Sequence, residues 1–201
     1  MNKVIIIILA LVILPWRGSC GEDCLAKLQE EYAVSKLIVL KAELSVYSTI
    51  FEDTEKYDVD IFIADSGFYR VELDRDIYLF DGEKVWEYSY ENNQATFRKV
   101  VAGERPVDQI SFIKNLDRFY NSEAIKPCRI YELNKADSSA ESLPDEMTLF
   151  LSDGKLKKIE YYDLNGDLNT FLIRDVRIFD EFNRGPFQQD FPDSTEIIAL
   201  P

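Results

Sequence analysis

Histidine is absent from the 201 residues of the chain, and basic residues are few. The missing histidine excludes Ser-His-Asp and Cys-His nucleophile pairs, histidine-ligated metals and histidine proton shuttles. Only 23 Lys and Arg stand against 37 Asp and Glu, which leaves a formal net charge of −14. A surface this acidic repels phosphate backbones, so nucleic-acid binding is not expected. We therefore expect no enzyme, no metal and no cofactor.

Long apolar stretches are also missing, since the longest run, Val4 to Leu14, has eleven residues. Eleven residues are too few to span a bilayer as a helix and are typical of a signal-peptide core. Lys3 gives the run a positive start, and small residues at Ser19 and Gly21 favour cleavage after Gly21. The sequence therefore predicts export.

Cleavage there divides the chain into a signal peptide over residues 1–21 and a single mature domain over residues 22–201. A lipoprotein signal with Cys20 as the acylated residue is the alternative. Arg17 disfavours it, because such signals carry an aliphatic residue at that position. The polar stretch 135–145 has the composition of a loop and is too short for a domain boundary.

Cysteine is scarce, with three residues in the chain. Loss of Cys20 with the signal peptide would leave Cys24 and Cys128, an even number that suits an oxidising compartment. A bridge between them would close a loop of about 100 residues and stabilise the fold by up to ~4–5 kcal/mol in the chain-entropy model. Two free buried thiols remain the alternative, because a sequence does not supply the geometry.

Apolar spacing in two regions predicts helices. Leu25, Leu28 and Tyr32 recur at helical intervals within residues 22–36. A second helix is predicted after Pro106, where the apolar residues again recur at intervals of three and four: Val107, Ile110, Ile113, Leu116 and Tyr120.

The rest of the chain alternates apolar and polar residues, as half-buried antiparallel strands do. The dipeptides Asp81-Gly82, Asp153-Gly154 and Asn165-Gly166 supply the positive φ angles of tight hairpins. So many strands in one twisted sheet tend to curl. The predicted fold class is therefore α+β: an incomplete, half-open antiparallel β-barrel of about 10–11 strands, with helices covering its concave apolar face.

Three ordered segments resemble motifs of the LolA-type outer-membrane lipoprotein carriers. They are the hairpin and D-x-x-G run Leu151–Asp167 with Phe171–Val176, the ending Phe187–Pro192 with Glu196–Ile198, and the turn Leu79–Tyr88 with Gln94–Thr96. The resemblance extends over nearly all of the predicted mature domain.

The sequence departs from the family at three places. Ala64 and Asp65 occupy the positions of the family's Arg-Pro pair, whose Arg helps to hold a helical lid closed. That latch is therefore not assigned here. Gln189 and Ser194 replace a Phe and a Gly of the closing segment.

The resemblance implies a periplasmic carrier whose apolar concavity receives the acyl chains of lipoproteins. Its implied partners are acylated lipoproteins, an inner-membrane ABC release complex and an outer-membrane receptor. We expect a monomer. The alternative function is a periplasmic lipid- or lipoprotein-sensing regulator or scaffold on the same half-barrel, since a fold does not settle function.

Candidate cavity residues lie on the predicted inward faces of strands and helices. They are Val59, Ile61, Phe68, Tyr69, Val71, Trp86, Tyr88, Ile110, Ile113, Leu116, Met147, Leu149, Tyr161 and Ile173. Phe68 is included because a register slip of one residue would turn it inward. The alternative at each position is packed core.

Two sets of acidic residues alternate along strands, Asp58 with Asp60, and Glu72 with Asp74 and Asp76. Each set would share a face and could hold a cation or act as a carboxylate pair, as in a glycosidase. We interpret them instead as solvated outer faces.

Overall fold

The computed structural model describes residues 23–101, 111–136 and 143–200. Twelve strands lie within these ranges: β1 Leu37–Ser48, β2 Asp53–Ala64, β3 Tyr69–Leu73, β4 Asp76–Phe80, β5 Lys84–Ser89, β6 Gln94–Lys99, β7 Tyr120–Lys126, β8 Ile130–Lys135, β9 Glu146–Ser152, β10 Lys155–Tyr162, β11 Leu168–Phe179 and β12 Glu196–Ala199. They form one sheet in the order β12-β6-β5-β4-β3-β2-β1-β11-β10-β9-β8-β7. The sheet does not close, which confirms the half-open antiparallel fold. The pairing of β12 with β6 is parallel and was not predicted.

Helix α1 spans Cys24–Val34, as its apolar spacing predicts. Asp23 caps its N-terminus, because Oδ1 accepts hydrogen bonds from the backbone N–H groups of Leu25 (3.0 Å) and Ala26 (3.4 Å). The second predicted helix falls partly outside the described residues, Val107 and Ile110 included. Its described part is a 3₁₀ turn, Ser111–Asn115, followed by α2, Leu116–Phe119, and Tyr120 already begins β7.

The three predicted hairpin turns are confirmed. Gly82, Gly154 and Gly166 have φ angles of 97°, 72° and 81°, in the left-handed region that glycine tolerates. Gly82 is further constrained, since a Cβ placed there would lie 2.6 Å from the ring of Phe68.

Register assigns the strand residues to two faces, because directly paired residues point to the same side of a sheet. Leu40 pairs with Ile61 and Ile61 with Val71, which defines the face that the helices cover, the helix-covered face. Val39 pairs with Phe62 and Phe62 with Arg70 on the opposite face. The chain after β11 packs against that side through Phe187, so we call it the tail-covered face.

Both faces carry apolar clusters. Leu25, Leu28 and Tyr32 of α1 pack on the helix-covered face together with Phe112 and Leu116. The tail-covered face has a smaller cluster, Leu37, Ala64, Leu79, Trp86, Tyr88, Ala95 and Phe187. Strand β1 contributes to both, which explains its unbroken apolar start from Leu37 to Leu40.

No helix among the described residues is long and apolar enough to cross a bilayer.

Candidate functional site

The candidate site is the helix-covered face, together with the two helical segments that close it. Eight predicted cavity residues are buried there in one continuous cluster: Val59, Ile61, Ile113, Leu116, Met147, Leu149, Tyr161 and Ile173. Val71 is half-buried against the same cluster. Tyr69 pairs with Ile63 of this face and packs on Phe80, with ring centroids 6.1 Å apart. Ile110 lies outside the described residues. In this state the face is packed and closed.

The structure corrects the placement of Trp86, Tyr88 and Phe68. Trp86 pairs with Leu79, which pairs with Arg70, so Trp86 and Tyr88 belong to the tail-covered face. The register slip that would turn Phe68 inward does not occur, because Tyr69 pairs with Ile63. These three aromatic residues pack beneath the C-terminal segment and do not line the candidate site.

Two helical segments cover the site, and they are anchored differently. Helix α1 is fixed covalently at both ends, because it continues through Ser35 into β1 and because Cys24 bonds to Cys128 in the turn between β7 and β8, with an Sγ–Sγ distance of 1.97 Å. The hydroxyl of Tyr131 adds a hydrogen bond to Asp23 Oδ1 at 3.2 Å. We call the second segment, Ser111–Phe119, the flap.

Lys114 connects the flap to the C-terminal end of α1. Its Nζ donates hydrogen bonds to the main-chain oxygens of Tyr32 (2.7 Å) and Ser35 and to Ser35 Oγ (3.0 Å). The Tyr32 carbonyl belongs to the last turn of the helix and also accepts the Ser35 hydroxyl at 2.6 Å, and Ser35 is the residue that caps the C-terminus. Lys114 is buried, and burial lowers its pKa while the carboxylate of Asp65 opposes that shift.

Asp65 occupies one of the positions where the resembled family has Arg-Pro, and here it forms an ion pair with Lys36. Its Oδ2 lies 2.7 Å from Lys36 Nζ. The hydrogen bond from Lys36 holds the pKa of Asp65 below its ordinary value, although burial opposes this. Lys36 and Asp65 thus tie the start of β1 to the turn after β2, whereas Lys114 ties the flap to the C-terminal end of α1. Lys114 is not predicted from the sequence, because a lysine between apolar helical positions resembles a solvated one.

A cleft of about 360 Å³ opens beside α1 at the edge of the closed face. Its apolar lining consists of Leu28, Tyr32, Leu156, Ile173, Val176 and Ile178. Charged residues complete the lining: Glu31, Lys155, Lys157, Arg174 and Asp175. An apolar floor with a charged rim fits a ligand that has an apolar body and a polar end.

The acidic residues of the strands form salt bridges and hydrogen bonds within the fold. Asp58 and Asp60 form salt bridges with Arg174 (2.6 Å) and Lys41 (2.9 Å). Asp74 Oδ1 accepts the backbone N–H of Asp58 at 2.9 Å, which ties the β3–β4 turn to β2. No group of three His, Cys, Asp or Glu residues placed to hold a metal occurs in the part of the chain that the structure describes.

The C-terminal segment covers the other face and is anchored by a buried arginine. Arg70 Nη1 donates to Asp190 Oδ1 (2.8 Å) and to the main-chain oxygen of Gln188 (3.2 Å), while Nε donates to Glu72 (2.6 Å). Phe191 stacks on Tyr88, with centroids 5.1 Å apart. This arrangement explains why the aromatic residues of β5 are buried away from the helices.

Several solved structures are similar to this chain. An uncharacterized conserved protein from Thermus thermophilus superposes with a TM-score of 0.52 at 12% identity, over 88% of this chain and 97% of that one. A LolA superfamily protein from Nitrosomonas europaea gives a TM-score of 0.47 at 13% identity, over 84% and 97%. A DUF1329 family protein from Desulfovibrio piger gives 0.45 at 10% identity, over 82% and 94%.

The likeness to the Thermus protein shows a shared fold and does not bear on activity. No protein-family model matches the sequence, and no curated protein matches it.

Proposed function

We propose that this chain is a carrier of acyl chains, which takes up the chains of lipoproteins on its helix-covered face. The observation that carries the proposal is an extensive apolar sheet face that, within residues 23–101, 111–136 and 143–200, is closed by two short helical segments. The flap packs on α1 in the same apolar cluster, and the buried Lys114 hydrogen-bonds it to the C-terminal end of that helix. The motifs shared with LolA-type carriers support the same role.

The energetics of acyl transfer favour such a protein. A sixteen-carbon chain exposed to water costs about 12 kcal/mol, at ~0.8 kcal/mol per methylene. Crossing an aqueous compartment therefore requires an apolar surface that replaces the membrane. In the closed state Phe112, Ile113 and Leu116 occupy that surface. Displacing them with an acyl chain exchanges one set of apolar contacts for another, so uptake and release can both be reversible.

The proposal places the protein in the periplasm, with a mature chain that begins near Glu22. It receives lipoproteins from an inner-membrane release complex, delivers them to an outer-membrane receptor, and performs no catalytic step. Intact-mass analysis of the secreted protein tests the processing. A diacylglyceryl group on Cys20 would instead make the protein membrane-anchored.

The binding test compares a triacylated lipopeptide with the same peptide lacking its acyl groups, measured by calorimetry. We expect saturable binding of the acylated form alone. Ile113→Glu on the flap is the informative variant, because a charge there opposes an apolar ligand, and the flap can turn the charge to solvent. Ile125→Glu is the matched control, since Ile125 is 55% exposed on the edge strand β7.

We expect Ile113→Glu to remain folded by circular dichroism and to lose lipopeptide binding, while Ile125→Glu binds like the wild type. A folded wild-type protein that fails to bind, under conditions where an established carrier binds, would overturn the carrier and favour the regulatory scaffold. Unfolding of Ile113→Glu would show that this position is core, and the wild-type measurement would then decide.

A further inference from the structure

Two neighbouring strands separate at the cleft beside α1. The pairing of β10 with β11 runs from Tyr162 and Leu168 to Lys158 and Leu172. Strand β10 extends back to Lys155, and β11 continues to Phe179 while paired with β1. The cleft therefore lies in the fork where the two strands part.

Each strand of the fork contains a bulge, and both bulged residues are cations that line the cleft. The pairing of β10 with β9 passes from Leu156 to Lys158 and skips Lys157. The pairing of β11 with β1 passes from Ile173 to Asp175 and skips Arg174. A bulge redirects a side chain out of the regular alternation and is frequent beside functional sites. Both bulged residues line the cleft, but the guanidinium of Arg174 binds Glu43 and Asp58, which pair with each other on the opposite, tail-covered face.

The charged residues that line the cleft differ in whether they form salt bridges. Arg174 forms salt bridges with Glu43 and Asp58, and Asp175 pairs with Arg177 at 2.9 Å. Lys155 and Lys157 make no salt bridge within residues 23–101, 111–136 and 143–200. Glu31 of α1 is the opposing carboxylate. In a chain of net charge −14, the lining of this cleft thus includes two lysines without a salt bridge in the described ranges, next to apolar residues.

We propose that the cleft binds a single-chain amphiphile with an anionic head, a carboxylate or a phosphate. Its acyl chain lies on Leu28, Leu156 and Ile173, and its head lies between Lys155 and Lys157. The inference rests on the proposed function, because it makes this fork the place where the polar end of an acyl ligand is recognised. Charge complementarity selects an anionic head over a neutral one.

The test measures the affinity of the secreted full-length product for palmitate, palmitoyl lysophosphatidate and neutral monopalmitoylglycerol, with inorganic phosphate as the headgroup alone. An exposed ion pair contributes up to ~1 kcal/mol, which is roughly a fivefold change in affinity. We therefore expect both anionic amphiphiles to bind about five- to twentyfold more tightly than the neutral one, and inorganic phosphate alone not to bind. The ratio between palmitate and lysophosphatidate identifies which head the site prefers.

Two variants and one control assign the preference to this site. Lys155→Gln combined with Lys157→Gln should reduce the affinity for palmitate to that for monopalmitoylglycerol and leave the latter unchanged. Glu31→Gln should tighten palmitate binding, because it removes the opposing carboxylate. Lys126→Gln is the control, since Lys126 is an exposed lysine on β7, far along the sheet.

The outcomes separate this inference from the proposed function. Equal affinity for the three amphiphiles, or an anion preference that survives the double variant, would overturn the headgroup site alone. Binding of the lipopeptide without binding of palmitate would also overturn the headgroup site alone. Failure of every acylated ligand to bind would overturn the carrier and the headgroup site together. Binding of palmitate without lipopeptide would retain the site and reject lipoproteins as cargo.

Discussion

Lys114 Nζ lies 2.7 Å from the main-chain oxygen of Tyr32, so a buried cation on the flap completes the last turn of α1. The contact joins the flap to a helix whose N-terminal end the Cys24–Cys128 bond fixes, and it adds to the apolar packing between the two segments.

Lys114→Met tests the latch. The variant keeps the apolar length of the side chain but leaves the main-chain oxygen of Ser35 without the Lys114 donor, which destabilises by ~1–3 kcal/mol. The oxygen of Tyr32 still accepts the Ser35 hydroxyl at 2.6 Å. We expect faster amide hydrogen exchange in the flap and at residues 32–36, with little change in the distant strands β4 to β6. Lys126→Met, on the exposed face of β7, should leave hydrogen exchange unchanged both in the flap and at residues 32–36. Unaltered exchange at residues 32–36 in Lys114→Met would show that the contact does not hold the flap.

The Cys24–Cys128 bridge predicts a redox-dependent stability. It closes a loop across 104 positions, for which the chain-entropy model gives ~4–5 kcal/mol. We expect the double variant Cys24→Ser, Cys128→Ser to unfold at a lower urea concentration, with a free energy of unfolding that is lower by up to ~4–5 kcal/mol. The reduced wild type should match the double variant, whereas the oxidised wild type should not. Identical unfolding curves for oxidised and reduced protein would argue against the bond.

Arg70 is predicted to anchor the C-terminal segment to the tail-covered face. Arg70→Met removes the donors to Gln188 and Asp190, and we expect a loss of ~1–3 kcal/mol and partial release of the segment. Trp86 is the one tryptophan after residue 21, so its fluorescence reports the exposure of this face. We expect the fluorescence emission of Trp86 to shift to longer wavelength in Arg70→Met and to stay unchanged in the surface variant Arg177→Met. A spectrum like that of the wild type would place the anchoring elsewhere.

Asp81 predicts how the same face responds to acid. Its Oδ2 accepts hydrogen bonds from Trp86 Nε1 and Gln189 Nε2, both at 2.9 Å. Burial raises the pKa of Asp81, but hydrogen bonds from the backbone N–H groups of Glu83 and Lys84 and from these side chains outweigh it and hold the pKa below its ordinary value of 3.8.

A lowered pKa in the folded state means that this carboxylate stabilises the fold at pH values above 3.8 and stops doing so as the pH falls through the folded pKa. We expect Asp81→Asn to be less stable than the wild type at neutral pH and to lose less stability on acidification. Urea unfolding from about pH 6 to about pH 3 measures how the free energy of unfolding of each protein changes with pH. Parallel slopes for the two proteins would contradict this role of Asp81.

The features predicted correctly from sequence are those set by local chemistry. The Asp81-Gly82 turn follows from the need for a positive φ angle, and helix α1 follows from the spacing of Leu25, Leu28 and Tyr32. Alternation also predicts which strand residues share a face.

Alternation does not determine which face receives the helices. Trp86 and Tyr88 alternate with Glu87 as inward residues would, yet they are buried by a segment about 100 positions further along the chain, through Phe187 and Phe191. Similarly, Lys114 is a charge that looks solvated in the sequence, and its burial depends on where another part of the chain packs.

Photo-crosslinking with a palmitoyl lipopeptide that carries a diazirine near the end of its chain shows on which face of the sheet the acyl chain binds. If the chain lies on the helix-covered face, saturable labels will map to residues such as Leu28, Ile113 and Ile173, and excess unlabelled lipopeptide will compete with them. Labels on Phe68, Trp86 or Phe187 of the tail-covered face, or labelling that excess lipopeptide does not reduce, would show that the acyl chain has no specific site on the helix-covered face.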